Sequence, residues 1–127
     1  MSDKLSKVGT QFAKAVTSLE TVLQEEKTEL VRDSAIKRFE YTFDLCWKLL
    51  KTFLEEKSGV ICASPKGCFQ DAYKQGTIEY DTFWLDLVDW RNKTSHTYLE
   101  ALAEEVYAIL PKALLHFKKV LEATRDL

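Results

Sequence analysis

An arginine, a histidine and a tyrosine stand at short, fixed spacings in the segment Arg91-Asn92-Lys93-Thr94-Ser95-His96-Thr97-Tyr98. Imidazole titrates close to neutral pH and can move a proton, while guanidinium binds phosphate through a two-pronged fork. Only two histidines occur in the 127 residues, and one of them falls in this polar segment. The segment, called the octet below, is therefore the first candidate for chemistry.

The reaction that suits these side chains is metal-independent cleavage of RNA, in which the 2′-hydroxyl attacks the neighbouring phosphorus. It needs an acid and a base that titrate near neutrality, and a fixed cation for the charge that builds on the phosphoryl oxygens. We assign the proton transfers to His96 and the binding of the phosphate to Arg91. Asn92 and Ser95 can add hydrogen bonds, and Lys93 is a further supporting polar group. No carboxylate cage or glycine-rich phosphate loop accompanies the octet, so we expect no metal and no cofactor.

One chain supplies one histidine of this kind. An acid and a base that are both histidine would therefore require two copies of the octet, which a two-fold homodimer could place across its axis. The plainer interpretation is that Arg91 complements the helix dipole and that His96 is an ordinary polar turn residue. We interpret His116 as a helix-surface residue or a buried one with satisfied hydrogen bonds, and Tyr41 and Tyr107 as core or rim aromatics.

The octet needs a break in the helix to work. Residues five apart on an unbroken helix point about 140° away from each other, so Arg91 and His96 could not address one phosphate. We predict that Arg91 closes one helix, that 93–96 form a turn, and that Thr97 starts the next helix through a capping box with Glu100.

The composition limits the possible partners. The chain is 46% hydrophobic and 30% charged, with a formal net charge of −2. Binding of nucleic acid by bulk attraction normally shows as a basic face, so any contact with RNA must be local. The flanks of the octet are acidic, with Glu79, Asp81, Asp86 and Asp89 before it and Glu100, Glu104 and Glu105 after it.

No run is long and apolar enough for a membrane span, and the amino terminus lacks the layout of a secretory signal, so we expect a cytoplasmic protein without membrane contact. The odd number of cysteines, Cys46, Cys62 and Cys68, indicates reduced thiols rather than a disulfide framework. A zinc site at Cys62 and Cys68 would lack half of its ligands.

Hydrophobic periodicity predicts an all-α, largely up-and-down bundle of about five helices, in a single domain over 1–127. The first helix covers 5–23. The second begins at Thr28, ends near Gly59 and carries an apolar stripe. Charges of alternating sign mark its opposite face as solvated: Asp33, Lys37, Glu40, Asp44, Lys48, Lys51 and Glu55.

Three further helices should follow. Ser64-Pro65 starts a short helix that points Tyr73 inward, and Gly76 ends it. Thr77 can cap the next helix, whose wide apolar surface from Phe83 to Trp90 fits either burial in the core or contact with a partner chain. In the last helix, Leu99 begins the inner face and Pro111 must kink or interrupt the helix.

Four segments together resemble a known family. The octet has the form Arg, four residues, His, one residue, Tyr, which is similar to the signature of HEPN-domain proteins from prokaryotic HEPN/MNT toxin–antitoxin pairs. Three other segments resemble the same family: Arg38-Phe39-Glu40-Tyr41-Thr42-Phe43-Asp44-Leu45-Cys46-Trp47-Lys48, Ala63-Ser64-Pro65-Lys66 and Trp84-Leu85-Asp86-Leu87. Members were first described as nucleotidyltransferase substrate-binding proteins.

The resemblance implies a HEPN-like four-helix-bundle core, a homodimer and a complex with a minimal nucleotidyltransferase that acts as the antitoxin. It also implies that Arg91 and His96 are the ribonuclease pair, with Asn92 as the polar residue that commonly follows the arginine. Tyr98 would be the hydroxyl to which the partner attaches AMP. The alternative is a non-catalytic subunit that presents substrate to the nucleotidyltransferase or is itself modified by it.

Overall fold

The computed structural model describes residues 2–125. Its helices are α1 (Asp3–Leu23), α2 (Glu29–Ser58), α3 (Pro65–Lys74), α4 (Phe83–Lys93) and α5 (Glu100–Ala123), with a short 3-10 turn at Thr94–His96. Within these residues there is no strand, and the prediction of an all-α bundle of five helices is confirmed. None of the described helices is both long and apolar enough to cross a bilayer.

The first two helices, α1 and α2, form an antiparallel pair. The Thr28 hydroxyl caps α2 by accepting a hydrogen bond from the Val31 N–H at 3.1 Å, and Gly59 ends it in the left-handed conformation at φ 65°, as predicted. The Ser2 hydroxyl donates to Glu56 at 2.6 Å, so the start of α1 lies beside the end of α2.

Aromatic rings join the helices through the core. Phe12 of α1 meets Phe117 of α5 edge to face at 6.1 Å between ring centroids, and Phe43 of α2 lies 6.0 Å from Phe69 of α3. Phe69 in turn stacks on Trp84 of α4 at 5.1 Å. Such pairs stabilise a core beyond the area that they bury, and this row holds α4 and the octet after it against the bundle.

The connection between α2 and α3 corrects the cysteine prediction. Cys62 and Cys68 are joined by a disulfide, with their Cα atoms 5.1 Å apart, whereas Cys46 is free and buried. The number of cysteines and the expected cellular location indicated free thiols, but neither of them reveals that this loop turns Cys62 back onto the first turn of α3. Ser64 caps α3 through the Gly67 N–H at 3.1 Å, as predicted.

The side of α3 that faces inward is narrower than predicted. Cys68, Phe69 and Ala72 are buried, but Tyr73 is 48% exposed. Its ring packs instead against Tyr80, with 5.3 Å between centroids. The prediction that Tyr73 points inward is therefore wrong, because the next segment supplies an aromatic neighbour at the surface.

The prediction that Thr77 caps α4 is also wrong. The helix begins at Phe83, and the Asp81 carboxylate accepts the Phe83 N–H at 2.9 Å. The connection between α3 and α4 is therefore longer than predicted. The apolar residues at the start of α4, from Phe83 to Val88, are buried in this chain's own core, so the core interpretation accounts for them without a partner.

The last helix starts later than predicted, and the Thr97 capping box does not form. Leu99 stands at the N-cap without a side-chain cap, while the Thr97 hydroxyl donates to the Thr94 carbonyl at 3.2 Å. Leu99 is 52% exposed and does not begin an inner face. α5 then runs through Pro111 without interruption, because the buried side chains on both sides of this exposed proline keep the helix packed.

Candidate functional site

The octet lies at a break between two helices, as predicted. α4 ends at Lys93 rather than at Arg91, two residues later than predicted, and Thr94–His96 form the 3-10 turn that leads to α5. The buried Thr94 holds this turn: its hydroxyl donates to the Arg91 carbonyl at 2.6 Å and accepts from Arg91 Nη1 at 2.9 Å. A buried hydroxyl with both roles satisfied fixes the arginine's main chain and side chain at once.

Arg91 is held by carboxylates from α2. Its Nε donates to Asp44 Oδ1 at 3.1 Å and its Nη2 to Asp44 Oδ2 at 3.0 Å, while Glu40 Oε2 lies 4.0 Å from Nη1. Two parallel charge-assisted hydrogen bonds of this kind fix the orientation of the guanidinium. The bonds to Asp44, and secondarily its charge and that of Glu40, raise the pKa of Arg91 despite its partial burial.

Asp44 and Glu40 are site residues that were not predicted from the sequence. Their face of α2 was assigned to solvent, and Asp44 is indeed half exposed, but both carboxylates serve Arg91. A signal was available: they lie four apart on one helix face, where two acidic groups can share a cation. The sequence did not say which cation.

His96 and Tyr98 form a second pair after the turn. Both side chains are exposed, Tyr98 at 78%. The Tyr98 hydroxyl lies 3.4 Å from His96 Nδ1, and the two rings meet edge to face with 6.0 Å between centroids. Within residues 2–125, Arg91 and His96 share no hydrogen bond; Arg91 turns to α2 and His96 to Tyr98.

The remaining octet candidates are placed at the surface. Asn92 and Ser95 are exposed, and their side chains are open to a ligand. The Lys93 ammonium lies 4.4 Å from the centre of the Trp90 ring, which satisfies part of its charge by a cation–π contact. The structure thus leaves Asn92 and Ser95 as available polar groups, whereas Lys93 contacts a residue of its own helix, α4.

An ion-pair cluster anchors α5 just beyond Tyr98. The buried Arg32 side chain at the start of α2 donates to Glu100 and, at 3.4 Å, to Glu104. Glu104 also receives the Lys27 ammonium at 2.5 Å. These contacts fix the first turns of α5 against α2, and they neutralise acidic residues that follow the octet.

The other histidine is a buried residue with satisfied hydrogen bonds, one of the two roles predicted for it. His116 Nδ1 lies 2.9 Å from the Lys112 carbonyl oxygen, and Nε2 lies 2.8 Å from Asp81 Oδ2. The hydrogen bond with His116, and then that from the Phe83 N–H, hold the pKa of Asp81 below its usual value. The pair fastens the segment before α4 to α5.

Comparison with known protein families shows to which family this chain belongs. Residues 8–126 match the family model described as nucleotidyltransferase substrate binding protein like. The chain belongs to this family. The family resemblance carried by the octet and the three other segments is therefore confirmed.

Two solved structures have the same fold as this chain. A Thermus thermophilus protein of known crystal structure shares 37% identity with a TM-score of 0.86, over 91% of this chain and 99% of that chain. A Haemophilus influenzae protein, described as having the fold of a substrate-binding domain of a nucleotidyltransferase, has a TM-score of 0.71 at 24% identity. That match covers 96% of this chain and 97% of the other, and it supports the fold.

One curated relative carries a catalytic name. A Haemophilus influenzae protein named probable ribonuclease HepT is 30% identical over 96 residues. The match covers 72% of this chain and 66% of that protein, so the family member described here spans about two thirds of its length.

Proposed function

We propose that this chain is the toxin of a HEPN/MNT toxin–antitoxin pair and acts in the cytoplasm as a homodimeric, metal-independent ribonuclease. The observation that carries the proposal is the helix break, where Arg91 is fixed on α2 and His96 is left exposed. The name of the Haemophilus influenzae relative, probable ribonuclease HepT, supports the same activity.

The geometry of Arg91 is compatible with a phosphate ligand. Three of the five N–H groups of its guanidinium donate to Asp44 and Thr94, which leaves two for the phosphoryl oxygens. A cation held in place by the protein stabilises developing charge without reorganising during the reaction. Asp44 therefore acts as a positioning residue for Arg91.

Proton transfer falls to His96 in two copies. In the proposed reaction, the RNA 2′-hydroxyl gives its proton to one imidazole while its oxygen attacks phosphorus. The 5′-oxygen of the next nucleotide leaves and takes a proton from the other imidazole, so a 2′,3′-cyclic phosphate results. Each such transfer is typically worth about 10²–10⁴-fold in rate, and the second imidazole comes from the homodimer partner.

We assign the silencing of the ribonuclease to a modification of Tyr98. A cognate minimal nucleotidyltransferase would attach AMP to its exposed hydroxyl, which lies 3.4 Å from His96. The added phosphate and adenosine would occupy the space in front of the imidazole and offer Arg91 a competing negative charge. The resemblance to HEPN/MNT pairs and the exposure of Tyr98 support this assignment.

A second function is favoured by the charges around the octet. Arg91 is already neutralised by Asp44 and lies near Glu40, and the flanking segments are acidic. A site without surplus positive charge binds RNA weakly. The alternative is therefore a non-catalytic substrate-binding subunit of a nucleotidyltransferase complex.

Expression of the chain alone separates these functions. For the toxin, wild type arrests growth and cleaves single-stranded RNA in the presence of EDTA, and His96→Ala does neither. The exposed Gln75→Ala just after α3 serves as a control that retains both effects. An inert wild type that still binds the nucleotidyltransferase would establish the binding subunit instead. If the combined replacement of Arg91, His96 and Tyr98 changes neither phenotype nor partner binding, the chain is a structural adaptor.

A further inference from the structure

We propose that His96 takes the phenolic proton of Tyr98 during transfer of AMP, so that the histidine assists in silencing its own site. The inference rests on the proposed function, because it presumes that Tyr98 is the residue that receives AMP. In this proposal the chain supplies one catalytic group for AMP transfer, and the nucleotidyltransferase supplies the others.

The main support for this proposal is the contact between the side chains of Tyr98 and His96. The Tyr98 hydroxyl oxygen lies 3.4 Å from His96 Nδ1, with the rings edge to face. A neutral imidazole with its proton on Nε2 presents a lone pair at Nδ1, which can accept the phenolic O–H. The distance is longer than a normal hydrogen bond, as is common for acid–base pairs before the reacting partner binds.

A phenol needs such help. Tyrosine is protonated at neutral pH and is a weak nucleophile in that form, so an adjacent base that removes its proton as the new bond forms accelerates attack. Because Tyr98 is 78% exposed, a nucleoside triphosphate held by a partner can reach it without rearrangement of the bundle. His96 is the titratable side chain that contacts its hydroxyl.

The proposed step balances as a simple displacement. The Tyr98 oxygen bonds to the α-phosphorus of the nucleoside triphosphate, and the bond from that phosphorus to the bridging oxygen of pyrophosphate breaks. Pyrophosphate leaves with the bonding electrons, and the phenolic proton passes to His96 Nδ1 and then to solvent. The product is a tyrosine phosphodiester beside an imidazole that has returned to its starting state.

The local charges around Tyr98 favour an incoming phosphate. α5 begins at Glu100, and its first N–H groups carry no side-chain cap, so the positive end of the helix dipole faces the segment that bears Tyr98. Glu100, the nearest acidic side chain in sequence, is engaged by Arg32. The approaching triphosphate therefore meets less repulsion than the acidic sequence alone implies.

The test measures the rate of AMP transfer to the full chain by the proposed cognate nucleotidyltransferase, with α-³²P-labelled ATP and Mg²⁺. The variants are wild type, His96→Ala and Tyr98→Phe, with Tyr80→Phe as a matched control because Tyr80 is also exposed, at 69%. We expect Tyr98→Phe to remove the label, Tyr80→Phe to retain it, and His96→Ala to slow transfer by about 10²-fold.

Rescue by free imidazole distinguishes proton transfer from a structural effect. Since His96 is exposed, added imidazole can enter the space left by His96→Ala, and we expect it to restore a large part of the rate without changing wild type. A slow variant that imidazole does not rescue would overturn the proposal, and so would equal rates for wild type and His96→Ala. In both cases labelling of Tyr98 still stands. A wild-type chain that is not labelled at Tyr98 would overturn both this inference and the proposed silencing.

Discussion

Arg91 of α4 and Asp44 of α2 form a bidentate ion pair, with Nε to Oδ1 at 3.1 Å and Nη2 to Oδ2 at 3.0 Å. The pair joins the end of α4 to the middle of α2, so the arginine of the octet is oriented by the bundle rather than by its own turn. A guanidinium fixed in this way keeps its remaining donors aimed in one direction.

Replacement of Asp44 by Asn should separate the orientation of Arg91, which affects kcat, from the affinity for RNA, which affects KM. Asp44→Asn removes the second charge-assisted bond, so we expect kcat for RNA cleavage to fall by about tenfold. KM should fall at the same time, because one negative charge near the phosphate is lost. Steady-state kinetics on a short single-stranded RNA measure both constants. Glu55→Gln, an exposed change on the same helix, should alter neither, and a kcat that rises would show that Asp44 restrains the arginine instead.

Arg91→Lys keeps the charge but loses the planar fork. Lysine cannot donate two parallel bonds to Asp44 while facing phosphate, so we expect a loss of about 10²-fold in kcat/KM. The exposed Arg125→Lys is the matched control, because its ion pair lies with the neighbouring Glu122 at the end of α5. Unchanged circular dichroism in both variants would confine the effect to the site. Full activity in Arg91→Lys would contradict the proposed role of the fork.

Thr94→Val tests the buried hydroxyl of the turn. The change preserves shape but removes both hydrogen bonds to Arg91, and we expect unfolding free energy to fall by about 1–2 kcal/mol together with RNA cleavage. Thr52→Val offers a comparison, since the Thr52 hydroxyl is also buried and donates to the Lys48 carbonyl at 3.0 Å within α2. Urea denaturation should show a loss in both variants, whereas only Thr94→Val should lose activity.

Asp81 and His116 give an acid-dependent contribution to stability. The pKa of Asp81 is lowered in the folded chain, so the folded state favours the carboxylate. Its contribution is therefore present above the unfolded value of about 3.9 and is lost as pH falls through the lower folded value. Because the Asp81 side chain is 38% exposed, we expect the effect to stay below about 1 kcal/mol.

The matching measurement compares wild type with Asp81→Asn by urea denaturation at pH 6 and at pH 3. Asparagine has the same size and remains polar, but it does not titrate. The stability gap between the two proteins should therefore narrow at the lower pH. A gap that widens on acidification would contradict the sign of the Asp81 shift.

Local sequence signals located the first half of the fold well. Thr28, Gly59 and Ser64 mark helix ends in the structure as they do in the sequence, because a cap bonds to main-chain groups two to four residues away. The signals at Thr77 and Thr97 failed. In the first case Asp81, which also contacts His116, accepts the Phe83 N–H at the start of α4, and in the second Thr97 bonds back to Thr94 within the turn.

For this protein, the sequence by itself determined the all-α bundle, the family and the helix break at Arg91–Tyr98, since periodicity, caps and a short motif are all encoded over a few neighbouring residues. Only the tertiary structure decided which groups serve the site. Asp44 reaches Arg91 from 47 positions away, and Cys62 is joined to Cys68 by the path of a loop. The residues next to a charged side chain or a thiol do not indicate its partner, because the packing of helices and the path of a loop decide which groups meet.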